Sequence, residues 1–277
     1  MALHLPTFFT RLGSAIVFAI VMMVGLLWNT YAFAILVSLI QVLCLRDYFR
    51  LAKKIDGNTH WPTWLPTLVQ AVSIVWLWLT FIFYNYQPSW PALLCFPTVV
   101  ILSTTLSKKT AWSAGAQSFG GMLYIMLPMM LLLQLRMISI MIPLALVLMI
   151  WMNDTMAYLV GSFIGKTPFS SVSPKKTWEG TAGGALLTIV AAGIWGHYTH
   201  YYNMIDWMAL ALCASVAGTA GDLLESKLKR MADVKDSGTL MPGHGGALDR
   251  FDSLLVATPF AFCYAYFFMP HIPFLIF

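Results

Sequence analysis

Between Ser226 and Ser253 the chain reads SKLKRMADVKDSGTLMPGHGGALDRFDS, with five basic residues, four aspartates, one histidine and four glycines. Lysine and arginine beside aspartate, next to a glycine-rich turn, suit a site that holds phosphate groups and metal ions together. Elsewhere charge is scarce: 10% of the residues are Asp, Glu, Lys or Arg, and 59% are hydrophobic. Where lipid is the solvent each charge is costly and marks function by default.

The spacing predicts a helix over residues 219–230. It would place Asp222, Ser226 and Arg230 on one face at i, i+4, i+8, with Glu225 and Lys229 on the adjacent face. A carboxylate, a hydroxyl and a guanidinium in one column can bind a cation and the phosphate it bridges. In the turn MPGHGG, Gly243, Gly245 and Gly246 allow close backbone approach. His244 is a metal ligand, a phosphate donor or a structural turn residue. Asp249 and Asp252 face the same way at i, i+3 around Arg250; for Asp249 a helix N-cap is the alternative.

A second constellation is SPKKTWEG, Ser173 to Gly180. Ser173 and Pro174 predict a helix start, with Lys175 and Lys176 in its first turn. A helix N-terminus with two ammonium groups is a phosphate site; a positive-inside anchor is the alternative. Glu179 would complete a cap or hold a lysine. The upstream GSFIGKT looks like a phosphate-binding loop, but its glycines are one residue too close and no strand precedes it. Gly161 and Gly165 are instead expected to permit close helix packing. A third candidate is Asp154 in WMNDTMAY, either a metal or nucleotide contact or an inter-helix hydrogen bond. His197 and His200 lack an acidic or thiol partner nearby and are not read as a metal site.

These residues must be held by membrane-spanning helices. Mean hydropathy is +0.76. Apolar runs fall near residues 12–28, 30–45, 64–85, 90–106, 112–134, 138–160, 181–197, 205–224 and 254–276, which predicts an all-α polytopic bundle of about nine spans. Backbone groups must pair within lipid, and no alternating ten-residue pattern suggests a barrel. The first run lacks a small-residue cleavage site and is expected to stay in the mature protein. With a cytoplasmic N-terminus, every Lys and Arg except Arg136 falls in the N-terminal tail or an even-numbered connection. The positive-inside rule then puts both charged loops in the cytoplasm, where nucleotides are. The net charge of +5 reflects this topology and does not argue for nucleic acid. Cys44, Cys95, Cys213 and Cys263 lie singly in apolar runs and are read as buried free thiols. Nine of the eleven acidic residues follow residue 150, the exceptions being Asp47 and Asp56 beside basic residues in a predicted loop. Residues 1–135 are therefore expected to be scaffold and 136–277 to carry the site, within one integrated membrane domain.

Ser226, Lys229, Arg230, Lys235, Asp236, Pro242, Gly243, His244, Gly245, Gly246, Asp249, Arg250, Asp252 and Ser253 together resemble the signature of the phosphatidate cytidylyltransferases, also called CDP-diacylglycerol synthases. GDLLES with Asp222 and Glu225, SPKKTWEG, and Asp154 with Ala157 and Tyr158 resemble that family's upstream elements. The specific likeness covers about residues 150–255.

That resemblance implies a reaction in which CTP and phosphatidate give CDP-diacylglycerol and pyrophosphate with one or two cations, Mg2+ among them, for which Asp222, Ser226 and Asp249 would be the metal ligands. It implies catalytic roles for Asp222, Asp249, Lys229, Arg230, Lys175 and Lys176. Substrate contacts would come from Asp154, Ser173, Lys235, Asp236, His244, Gly245, Gly246, Arg250 and Asp252. The lysines and Arg230 would neutralise phosphate oxygens, which is most of what phosphoryl-type transfer needs. It also implies a homodimer in a bacterial inner membrane with its site facing the cytoplasm. Two other readings stand beside it. A CTP-dependent polyprenol or phytol kinase would transfer the γ-phosphate and release CDP. A transporter would need acids along a midplane path, whereas here the charges gather at one face. The CDP-alcohol phosphotransferases need closely spaced aspartates combined with D-G and A-R elements, a pattern that the chain lacks.

Overall fold

The computed structural model describes residues 5–57, 61–83, 112–199, 201–240 and 245–269. The expected span at 90–106, together with Cys95, His200 and His244, lies outside the described residues. The described helices are α1 (Leu5–Leu27), α2 (Thr30–Ile55), α3 (Trp64–Ile82), α4 (Trp112–Gly121), α5 (Leu127–Ile138), α6 (Met141–Ile164), α7 (Trp178–Tyr198), α8 (Met204–Leu212), α9 (Gly218–Met231) and α10 (Leu248–Phe268). π-helical turns at Met122–Met126 and Cys213–Ala217 join α4 to α5 and α8 to α9 without a break. Among the described residues there is no strand, only an isolated antiparallel bridge between Pro168 and Thr177.

The protein is an all-α integral membrane protein. Six described helical segments are long and apolar enough to cross a bilayer: Thr30–Ile55, Trp64–Ile82, Ser113–Ile138, Met141–Ile164, Met204–Met231 and Leu248–Phe268. Helices also form at the expected first and seventh spans, but α7 is diluted by five glycines and falls outside that set. Cys44, Cys213 and Cys263 are free thiols, as expected; Cys44 is buried, while Cys263 is exposed, against the expectation of burial.

The chain divides into two compact units, Met1–Leu133 with Leu228–Phe251, and Gln134–Lys227 with Asp252–Phe277. In the first, Asn29 caps α2 by accepting from the Ala32 N–H at 2.7 Å. α2 then runs ten residues past the expected end of its span. The predicted loop holding Arg46, Asp47, Arg50, Lys53 and Lys54 is therefore helix. Leu45, Phe49, Leu51 and Ala52 keep one face buried, and Lys53 and Lys54 in the last turn suit the negative end of the helix dipole. Tyr48 fastens α2 to α4 by donating to the Gln117 carbonyl at 2.9 Å.

In the second unit, α6 and α7 approach closely, as the glycine pattern predicts. A Cβ on Gly180 would lie 2.7 Å from the Ala157 carbonyl oxygen and 2.8 Å from the Gly161 Cα. Such an approach satisfies packing between membrane helices, where apolar side chains gain nothing by leaving lipid. α8 starts with a capping box formed by Asn203 and Asp206. Asp206 also accepts from the Tyr264 hydroxyl at 2.9 Å, which ties the start of α8 to α10.

Candidate active site

In the second unit, the loop between α6 and α7 is folded by its own polar groups. The Glu179 carboxylate accepts from the Lys166 N–H at 3.1 Å and from the Thr167 N–H and hydroxyl, the latter at 2.8 Å. Bonds from its own N–H, the Thr167 hydroxyl and N–H, and the Lys166 N–H hold this carboxyl down to about 2, so it stays ionised ahead of the apolar run of α7. Phe169 N–H donates to the Lys176 carbonyl at 2.7 Å, and Trp178 N–H to the Thr167 carbonyl at 3.0 Å. The Phe169 and Trp178 rings meet edge to face at 4.4 Å. Of the two roles weighed for Glu179, it takes neither in the predicted form: it braces the loop backbone.

The helix start is later than the sequence predicts. Thr177, extended, is the N-cap of α7 and accepts from the Gly180 N–H at 3.1 Å. Lys175 and Lys176 lie just before the helix, in a turn where the Ser173 carbonyl accepts from the Lys176 N–H at 3.1 Å. The turn leaves Lys175 exposed and aims Lys176 inward. Lys176 Nζ is 2.5 Å from Asp222 Oδ2 on α9. SPKKTWEG and GDLLES, whose Lys176 and Asp222 are 46 residues apart, thus meet in an ion pair.

Asp222 has a second neighbour. The Asp252 carboxyl lies within hydrogen-bonding reach of it, and Asp154 is close enough to act on Asp252 electrostatically. Asp252 is buried, Asp154 exposed on α6, and Ser226 half-buried one turn beyond Asp222. The close pass of α9 and α10 makes this possible. A Cβ on Gly221 would strike the Asp252 carbonyl oxygen and lie 3.0 Å from its carbon and 3.1 Å from the Ser253 Cα. Gly221→Ala must separate these backbones. We expect it to cost about 1–3 kcal/mol of stability and to lower turnover more than any change at the exposed Lys175, measured by thermal unfolding and single-turnover rates in detergent. Wild-type turnover in Gly221→Ala would show that the Asp222–Asp252 approach is immaterial.

Two adjacent carboxylates with a hydroxyl one helical turn away form a hard-oxygen donor set that fits Mg2+. This ion commonly takes one or two carboxylates and completes its octahedron with water and substrate phosphates. Among the described residues no three acidic, histidine or cysteine side chains gather closely enough to enclose a metal alone.

In the first unit a second carboxylate–lysine pair forms. α9 ends through Asp233 at φ 51°, a left-handed residue that turns the chain back, with the Val234 N–H bonded to the Lys229 carbonyl at 2.9 Å. Lys229 Nζ is 2.8 Å from Asp249 Oδ1, and the two side chains are 17% and 5% exposed. Asp249 Oδ2 accepts from the Ser237 N–H at 2.9 Å, the Ser237 hydroxyl at 2.8 Å and the Gly246 N–H at 2.7 Å. Gly245 adopts φ 83°, open to glycine at little cost, and a Cβ there would lie 2.5 Å from Asp249 Oδ2. Arg230, Lys235, Asp236 and Arg250 are exposed around this turn.

One residue of this cluster was not expected from the sequence. Asp47 is 2% exposed and accepts from the Ala247 N–H at 2.7 Å and the Leu248 N–H at 3.3 Å, at the start of α10. Its sequence signal is periodicity: Val37, Ile40, Cys44 and Leu51 are buried with it at alternating steps of three and four. A carboxylate on an apolar stripe must have partners; its basic neighbours in sequence placed it in a predicted loop instead.

The sequence profile of the Cytidylyltransferase family matches residues 9–268. The chain belongs to the cytidylyltransferase family. Among its relatives, the phosphatidate cytidylyltransferase of Bacillus subtilis is 47% identical over 115 residues, 41% of this chain and 43% of that protein. That of Haemophilus influenzae is 41% identical over 128 residues, 44% of each chain. That of Staphylococcus aureus is 32% identical over 205 residues, 70% of this chain and 77% of that protein. The chain thus spans less than half the length of the first two relatives and about three quarters of the third. The likeness read in the signature is borne out at the level of the cytidylyltransferase family.

Proposed function

We propose that this cytidylyltransferase joins CTP to phosphatidate, giving CDP-diacylglycerol and pyrophosphate at the cytoplasmic face of a bacterial inner membrane. The observation that carries the reading is the Asp222–Asp252 carboxyl pair faced by Lys176, in a chain whose family relatives are named phosphatidate cytidylyltransferases. A phosphate oxygen of phosphatidate attacks the α-phosphorus of CTP, and the bond to the β-phosphate oxygen breaks as pyrophosphate leaves. The attacking monoester is already anionic near neutral pH, so no strong base is required. Positioning and charge neutralisation remain for the protein to supply.

Asp222 and Asp252, with Ser226, would hold Mg2+, whose positive charge stabilises the phosphate oxygens when it is bound. Lys175 and Lys176 would neutralise phosphate oxygens on the α6–α7 loop; Lys229 and Arg230 would do so at the end of α9. Asp249 has one oxygen taken by three donors, so its proposed work is to hold Lys229 and the Ser237–Gly246 backbone. Asp154, Ser173, Lys235, Asp236, His244, Gly245, Gly246 and Arg250 are the proposed contacts to nucleotide and headgroup, and a homodimer the proposed assembly. The acyl chains stay in lipid while the headgroup meets CTP.

The deciding experiment incubates purified protein with α-labelled CTP, phosphatidate and Mg2+. Label recovered in lipid supports the reading; release of labelled CDP without labelled lipid would instead mark a γ-phosphate-transferring lipid kinase. The sidedness is tested separately. Single cysteines introduced in the 197–206 loop should react with an impermeant maleimide from outside whole cells, and those in 231–245 only after permeabilisation. The reverse pattern would remove the nucleotide from reach of the charged turn and overturn the proposal.

A further inference from the structure

The start of α10 has three consecutive backbone donors in protein hands. The Gly246 N–H goes to Asp249, and the Ala247 and Leu248 N–H groups go to Asp47. Asp47 also shapes the turn that faces it. A Cβ on Gly238 would lie 2.5 Å from Asp47 Oδ1 and 2.8 Å from its Cγ; a Cβ on Gly246 would strike Asp47 Oδ2. Two glycines of the charged segment therefore make room for one carboxylate from α2. Arg46, whose Nε is 3.9 Å from Asp47 Oδ1, is 59% exposed and contributes only a screened charge. Backbone N–H groups are the chief partners of this buried acid, as an ionised carboxylate requires.

We propose that Asp47 is a positioning residue: it locks the backbone at Gly238 and at Gly246, Ala247 and Leu248, and through Gly246 and Asp249 it sets where Lys229 is held. The N-terminal half of the chain then contributes to substrate binding without touching substrate. The linkage is short. Asp47 fixes the Ala247 and Leu248 amides; the neighbouring Gly246 amide fixes Asp249 Oδ2; Asp249 Oδ1 fixes the Lys229 ammonium. Freeing the first joint lets the Lys229 ammonium wander, which weakens a phosphate contact more than it weakens a membrane helix packed in lipid. The kinetic part of this inference rests on the proposed role of Lys229 at the CTP phosphates; the structural part does not.

The test uses full-length protein in detergent micelles, with hydrogen exchange, thermal unfolding, and KM for CTP and kcat read separately. Asp47→Ala should speed amide exchange at Ala247 and Leu248 and raise KM for CTP by about tenfold or more, a loss in the range of a charge-assisted hydrogen-bond pair. Asp47→Asn keeps an oxygen for both donors and should recover most of the affinity. Arg46→Ala should leave KM within about twofold. Gly238→Ala should push the carboxylate aside and reproduce the Asp47→Ala kinetics, and the double variant Asp47→Ala with Gly238→Ala should be no worse than Asp47→Ala alone. If Asp47→Ala does not fold, Gly238→Ala carries the test by itself. Lower thermal stability with wild-type KM and kcat in the variants would reduce Asp47 to a structural strut and overturn the proposal, as would unchanged exchange at Ala247 and Leu248. If the wild-type protein itself makes no CMP-bearing lipid, the proposed function fails, and exchange alone then decides the positioning role.

Discussion

Asp222→Asn is expected to lower turnover at least ~100-fold, a loss of about 2.7 kcal/mol in transition-state stabilisation, while the protein inserts and folds normally. The two halves of this expectation have one cause. Asp222 sits between an ammonium and a second carboxyl, with 27% of its side chain exposed. Making it neutral relieves its repulsion with Asp252 even as it frees Lys176. Stability should therefore hold or rise, as is common where a site stores unfavourable electrostatics for function. Turnover falls because a neutral amide offers little to a divalent cation. The measurement is a pair: initial rates across a Mg2+ titration, and the thermal midpoint in the same detergent. A variant with near-normal turnover at saturating Mg2+ would show that the cation is held elsewhere. Asp249→Asn provides the contrast. Its side chain is 5% exposed and pairs with a Lys229 that is 17% exposed. An amide that keeps its oxygen toward Ser237 and Gly246 turns its NH2 toward the ammonium, donor against donor. Asp249→Asn should therefore lose stability as well as turnover, whereas Asp222→Asn loses turnover alone.

Arg230→Lys should be impaired by about tenfold or more although the charge is kept. Arg230 closes α9 and is exposed, so its replacement disturbs no packing and the protein should unfold at the wild-type temperature. What is lost is the planar fork that can grip two phosphate oxygens at once; an ammonium supplies one compact charge. Lys53→Ala with Lys54→Ala makes the control. Both lysines are exposed in the last turn of α2, where their proposed work is to attract anionic lipid. The pair should change turnover by no more than about twofold, chiefly at low salt, where surface charge is poorly screened. The assay is turnover at saturating CTP and phosphatidate in micelles. If the lysine pair proves as damaging as Arg230→Lys, substrate contacts extend along α2, and its basic end must be treated as part of the site.

The all-α membrane character, the eight described helical stretches and the residues of the charged turn were legible in the sequence because each is a local property. Hydropathy over about twenty residues decides whether a segment can cross lipid, and the crowding of charge between Ser226 and Ser253 needs no fold to be noticed. Capping was less legible. Ser173 and Thr177 offer the same kind of hydroxyl, and only the extended backbone at Thr177 and the brace from Glu179 to Lys166 and Thr167 decided which one starts α7. The pairing of charges was not legible at all. Asp222 lies beside Lys176 and the Asp252 carboxyl, neither of which its spacing named as a partner. The backbone approach at Gly221, following the π-helical turn at Cys213–Ala217, sets the rotation of α9 against α10. One extra residue in a helical turn shifts every following side chain around the axis by about 100°, a phase that composition and spacing do not carry. Asp47 was hidden for a similar reason. Arg46 precedes it and Arg50 follows one turn later, but its partners are two amides 200 and 201 residues away. The sequence by itself determined which groups could do the chemistry and in what solvent the chain must fold. Which carboxylate faces which lysine was decided only by the tertiary structure, because burial forces each charge to find partners that helix phase and glycine contacts bring within reach.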